Sequence, residues 1–106
     1  MNNDEYVEFL RSVLIKMENA LYLVEQTPAK HIPSYHKILG VQQKLAGLSE
    51  QHRNELFPQM VKVRGIISYF TNGNYYEAHK QMLTLKDNLV KICLGIKSEK
   101  NTDKKT

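Results

Sequence analysis

The side chains with the most evident reactivity in this chain are four histidines and one cysteine: His31, His36, His52, His79 and Cys93. A helical metal site needs ligands that share one face, as the two histidines of an HExxH pattern do. The four histidines show no i, i+4 pair, and Cys93 has no second cysteine to pair with. We therefore expect no metal, no cofactor and no catalytic residue, and we interpret Cys93 as a structural residue beside a helix core.

The glycines and carboxylates do not indicate catalysis either. Gly65 and Gly73 do not make a phosphate-binding loop, which needs several closely spaced glycines before a helix. The carboxylates are spread over helix faces, where solvated ion pairs are the ordinary interpretation. The sequence thus predicts a non-enzymatic protein.

Basic residues offer a different chemistry, the attraction of an anionic partner. The net charge of +4 is uneven, because residues 1–29 sum to −3 and residues 30–106 sum to +7. Lys30, Lys37 and Lys44 are spaced by seven and would lie roughly on one side of a helix. They are a candidate face for an anionic partner, so a small basic nucleic-acid-binding regulator is the alternative function. The other interpretation is that an acidic first helix complements its neighbours.

The most informative positions lie on the last helical pattern. One stripe faces a core and consists of Ala78, Met82, Leu85, Leu89, Ile92 and Ile96. A second stripe, Tyr76, Leu83, Val90 and Leu94, projects about 120° to 160° away from Ala78 at 100° per residue. Either this helix packs on two neighbours, or the second stripe contacts another protein or a second copy of the chain. We predict an adaptor that acts through this stripe; Ile15 and Tyr22 form a smaller apolar patch on the first helix.

Four helical patterns position these residues, at 4–26, 33–46, 50–71 and 75–97. No convincing strand alternation is present. The patterns predict an all-α fold, an antiparallel four-helix bundle, with "TPAKHIPS" at 27–34 as the longest connection. Pro58 falls inside the third pattern and removes a backbone donor, so we expect that helix to be kinked or split near Phe57.

The helix ends have recognisable signals. Gly47 closes the second helix, and Ser49 can cap the third. In "TNGNYYEAH" at 71–79, Gly73 can adopt the left-handed conformation that ends a helix, and Asn74 can cap the next one. Glu77 can reach back to the Asn74 amide, as in a capping box.

The bulk properties predict one domain at 1–97 and a disordered polar tail at 98–106. The single cysteine favours a reducing compartment, and "MNNDEYVEF" lacks the features of a signal peptide. No apolar run approaches the roughly 18 residues that cross a bilayer. We expect a cytoplasmic or nuclear protein without membrane insertion.

Residues 48–97 also carry a resemblance. Leu48-Ser49, Asn74-Tyr75, Ala78 and Gly95-Ile96-Lys97 resemble the C-terminal helical module of the steroid receptor RNA activator protein, shared with the outer-coat scaffold subunit of vesicles that leave the endoplasmic reticulum. The resemblance implies a non-enzymatic helical scaffold in trafficking or transcriptional coregulation, and it transfers no catalytic residue. "GNYYEA" alone is also similar to hairpins in tetratricopeptide repeats, trafficking-type three-helix domains and flagellar export chaperones.

The two function classes differ in their response to salt. A nucleic-acid binder should lose affinity steeply as salt rises, because binding releases condensed counterions. A helical adaptor with apolar anchors should be far less sensitive. Titration of mixed RNA and DNA at low and physiological salt checks this, and no binding at low salt would remove the nucleic-acid alternative.

Overall fold

A computed structural model of the chain describes the backbone of residues 2–26 and 31–105, with side chains as far as Ile96. Within these residues it has five helices and no strand: α1 (Asn3–Gln26), α2 (His31–Ala46), α3 (Glu50–Glu55), α4 (Phe57–Thr71) and α5 (Tyr75–Lys105). The prediction of an all-α fold is confirmed.

The four long helices enclose one apolar core. α1 and α4 each pack against both α2 and α5, so the helices form a closed ring in the order α1, α2, α4, α5. Each contributes fully buried side chains: Leu10, Val13 and Met17 from α1, Ile38, Val41 and Leu45 from α2, Val63 and Ile66 from α4, and Met82, Leu85 and Leu89 from α5. Burial of each such side chain is worth about 1.5 to 3 kcal/mol. The helical bundle is thus present, and its antiparallel order stays a prediction.

A buried serine joins α2 to α1. The Ser34 hydroxyl donates a hydrogen bond of 2.7 Å to the Ala20 carbonyl oxygen, and both residues are inaccessible to solvent. Ser34 lies in the first turn of α2, which begins at His31, two residues before the predicted start at Pro33. Pro33 is tolerated there because the first four amides of a helix have no helical partner. The predicted connection at 27–34 was therefore too long, and residues 27–30 lie outside the described part of the chain.

The third predicted helix is split, as expected from Pro58. α3 ends at Glu55, Leu56 takes a non-helical conformation with φ −96° and ψ 7°, and α4 begins at Phe57. The break places Pro58 in the first turn of α4, where its missing amide costs nothing. Leu56 is buried in the core, whereas α3 contributes no buried residue.

Of the two predicted helix-end signals at 47–49, the Gly47 stop is present and the Ser49 side-chain cap is not. Ser49 occupies the cap position of α3, and its carbonyl oxygen accepts the Arg53 amide at 2.9 Å, but its side chain makes no capping hydrogen bond. Gly47 follows α2 as predicted, and its amide donates to the Lys44 carbonyl oxygen at 3.1 Å. It does so without the positive φ that Gly73 has.

The turn between α4 and α5 is built around Gly73, which has a φ of 74°. The Gly73 amide donates to the Phe70 carbonyl oxygen at 3.1 Å, and the Asn74 amide donates to the Tyr69 carbonyl oxygen at 2.8 Å. These two bonds define a Schellman motif. The Asn74 side chain then caps α5 by accepting the Glu77 amide at 3.3 Å. The expected return bond from Glu77 was wrong, because the Asn74 amide is already committed to Tyr69.

α5 extends beyond its predicted end near Lys97 and runs to Lys105. The side chains of residues 97–106 lie outside the described set, so the division into a domain at 1–97 and a disordered tail at 98–106 stays a prediction.

Two glycines, Gly73 in the turn and Gly65 inside α4, allow a comparison of glycine-to-alanine variants. Gly73→Ala should destabilise the protein by about 1 kcal/mol, because alanine is strained at positive φ. Gly65→Ala should stabilise it by about 0.5 to 1 kcal/mol, since Gly65 lies inside α4 and a Cβ there meets nothing within 4 Å. Asn74→Ala should cost about 1 kcal/mol through the lost cap. Urea unfolding measures all three, and a neutral Gly73→Ala would contradict the turn as described.

Candidate interaction surface

The second apolar stripe of α5 is largely uncovered. Tyr76, Leu83 and Leu94 expose 77%, 45% and 58% of their surface, and Val90 is half-buried. The opposite side of α5 enters the core through Ala78, Met82, Leu85 and Leu89. α5 therefore buries one stripe within the bundle and presents the other at the surface.

A contact with α1 shows where this stripe lies. His79 Nε2 is 2.9 Å from Glu25 Oε1, which places His79 on the α1 side of α5. Leu83 and Val90 follow His79 by four and eleven residues, so they lie on nearly the same side of the helix. The stripe thus borders α1.

α1 adds two exposed apolar side chains to this border. Tyr22 lies three residues before Glu25, and Ile15 lies seven before Tyr22; both are exposed. We call the residues Ile15, Tyr22, Tyr76, Leu83 and Leu94 the α1–α5 surface. The patch predicted on the first helix and the stripe predicted on the last are thereby brought to one side of the bundle.

The three predicted lysines do not behave alike. Lys30 lies outside the described residues, and Lys37 is exposed on α2. Lys44 is directed at α1, where its Nζ donates to Ser12 Oγ at 3.2 Å and lies 5.9 Å from the centre of the Phe9 ring. A lysine can reach across to a neighbouring helix because its charged group lies at the end of a long aliphatic chain. The nucleic-acid alternative gains no support from this arrangement and stays a prediction.

The histidines make contacts between elements of the fold. The His52 ring of α3 stacks on Tyr6 of α1 at 4.1 Å, and the His31 ring lies 3.9 Å from that of Tyr75.

Within the described part of the chain, no three histidine, cysteine or acidic side chains are grouped as metal ligands would be. Cys93 is buried beside the core stripe of α5, as its position predicted.

A groove between α2 and α4 was not predicted from the sequence. It contains an open pocket of about 270 Å³. Its lining residues are Gln42, Gln43, Leu45, Ala46, Met60, Val63 and Arg64. Phe57 and Val61 are exposed on the same helix, and their spacing to Arg64 keeps all three on one face of α4. The spacing of four and three residues between Phe57, Val61 and Arg64 is present in the sequence. The other wall of the groove belongs to α2, so the sequence of α4 alone does not predict the groove.

Comparison of the chain with protein-family models, with curated proteins and with solved structures found no match. The resemblance of residues 48–97 to the steroid receptor RNA activator module therefore stays a hypothesis. No helix in the described residues is long and apolar enough to cross a membrane. The fold and this surface define a small α-helical bundle with apolar side chains exposed along two of its helices.

One buried polar group near α3 was also unforeseen. The Tyr6 hydroxyl has no hydrogen-bond partner among the described residues, although Tyr6 is only 4% exposed. Burial, followed by the nearby Glu55 and Cys93, raises the pKa of Tyr6 from 10.0 to about 12. All three causes disfavour the negative phenolate.

Tyr6→Phe should therefore leave stability at pH 7 unchanged or raise it by about 1 kcal/mol, because no hydrogen bond is lost. The stability of the parent should not change with the ionisation of Tyr6 below pH 10 and should fall as pH rises through 12, because Tyr6 ionises at lower pH in the unfolded chain than in the folded protein. The variant should lose less stability than the parent over this range. Chemical denaturation at pH 7, 9 and 11 tests both points, and a clear destabilisation at pH 7 would show that the hydroxyl has a partner.

Proposed function

We propose that this protein is a non-enzymatic interaction module that acts by protein–protein contact through the α1–α5 surface, with the α5 stripe as its centre. The observation that carries the proposal is the exposure of Tyr76, Leu83 and Leu94 on a helix whose opposite face fills the core. Exposed aliphatic and tyrosine side chains along one helix are typical anchors of helical contacts. Self-association is the simplest form of this contact.

The charges on the two helices favour a second copy of the chain. α1 carries five acidic and two basic residues, whereas α5 carries Lys80, Lys86 and Lys91 against Glu77 and Asp87 as far as Ile96. In a twofold contact each patch meets its own counterpart, so α1 of one copy can lie against α5 of the other. α1, with a net charge of −3, then faces α5, with a net charge of +1 as far as Ile96, in both halves of the interface.

The wider setting is also part of the proposal. A cytoplasmic or nuclear scaffold in trafficking or transcriptional coregulation agrees with the resemblance of residues 48–97, and such scaffolds act by assembling other proteins. Nothing in this role requires a catalytic residue or a cofactor.

The double variant Leu83→Glu/Leu94→Glu tests the proposal. Both side chains are exposed, so the variant should fold with an unchanged melting temperature. It should lose self-association, because two carboxylates would be desolvated in the interface. Thr84→Glu is a matched control, since Thr84 is exposed on α5 outside the stripe. Light scattering over a concentration series reports the dimer.

Three outcomes are informative. A parent dimer that only the double variant abolishes supports self-association. A parent that is monomeric at all concentrations rejects self-association. In that case, capture of cellular proteins by the parent but not by the double variant would show that the surface binds a different protein. Unfolding of the double variant would contradict the exposed position of the stripe.

A further inference from the structure

The α2–α4 groove lies on the other side of the bundle from the α1–α5 surface. In the ring of helices, α1 and α5 form one pair and α2 and α4 form the opposite one. The pocket is lined by the fully buried Leu45 and Val63 and by the exposed Ala46 and Arg64. The two surfaces therefore do not overlap.

The size of the pocket favours a side chain over a free small molecule. Pockets that enclose drug-sized ligands have volumes of about 300 to 1,000 Å³ and cover most of the ligand. The volume here is about 270 Å³, and the pocket is open to solvent along the groove. It suits one large apolar side chain from a segment that lies along the groove.

The two helices that form the groove carry basic but no acidic residues. The chain has no acidic residue between Glu25 and Glu50, and none between Glu55 and Glu77. α2 and α4 lie within these two intervals, so no carboxylate from either helix opposes Arg64, which lines the pocket. A negatively charged segment is therefore favoured as the occupant.

Two of the three lysines of α2 and α4 contact other helices, which argues against a polyanion, and Lys37 lies seven residues before Lys44 on roughly the same side of α2. Lys44 donates to Ser12 on α1, and Lys62 donates to Gln81 on α5 at 3.1 Å. Both are directed toward neighbouring helices on the far sides of α2 and α4. Nucleic acids and anionic membranes bind through many basic groups at once, whereas the groove offers one guanidinium among apolar side chains.

We propose that the α2–α4 groove docks an acidic amphipathic helix of a partner protein. An aliphatic or aromatic side chain of that helix enters the pocket, and a carboxylate one turn away pairs with Arg64. Gln42 and Gln43 on the rim offer amide groups to its polar side chains. Helix-in-groove binding uses this combination of spaced apolar anchors and flanking charge.

The test uses two synthetic three-heptad peptides, each with leucines at the core positions and either glutamates or lysines at the flanking positions. Fluorescence anisotropy should show binding of the glutamate peptide and at least tenfold weaker binding of the lysine peptide. Arg64→Glu should weaken the binding of the glutamate peptide at least tenfold. It should strengthen the binding of the lysine peptide. Ala46→Phe should weaken both, because it fills the groove from its exposed rim.

The controls separate this inference from the proposed function. Lys80→Glu makes the same change of charge on α5 and should leave peptide binding unchanged, as should Leu83→Glu/Leu94→Glu. Equal binding of the two peptides, or no effect of Arg64→Glu, would overturn the inference. So would tight, Arg64-dependent binding of a single-stranded RNA oligomer or of phosphatidylserine vesicles without binding of the glutamate peptide.

Discussion

The bundle depends on the burial of one stripe of α5 against two helices at once. Ala78, Met82, Leu85 and Leu89 are inaccessible to solvent, and α5 packs against both α1 and α4. Because α1 and α4 also pack on α2, this stripe closes the ring of four helices. A helix that is committed to the core along one stripe must turn its other positions outward. The exposure of Leu83 and Leu94 is thus a consequence of how the core is closed.

Much of the fold could be predicted from the sequence because its signals are local. The apolar spacing along α1 and α5 defines the core stripes, and Pro58 divides α3 from α4 wherever the segment lies in the bundle. Gly73 and Asn74 form their turn with partners only a few residues away. Each of these features is determined by bonds or steric limits within about two helical turns.

The parts that could not be predicted join residues distant in the chain. The bond from Ser34 to Ala20 and the contact of Lys44 with Ser12 depend on how α2 lies on α1. The α2–α4 groove has the same origin, since neither helix shows it alone. The Glu77 bond failed for a different reason: two acceptors compete for the one Asn74 amide, and the Schellman motif takes it.

α3 has a distinct place in the dynamics of the chain. It is six residues long, buries no side chain in the core, and lies between a three-residue turn and the break at Leu56. One of its tertiary contacts is the stacking of the His52 ring on the Tyr6 ring of α1. Segments with few buried contacts open locally at low free energy, whereas helices that fill the core open only with global unfolding. Amide hydrogens of α3 should therefore exchange with solvent through local opening, long before those of α1 or the core half of α5.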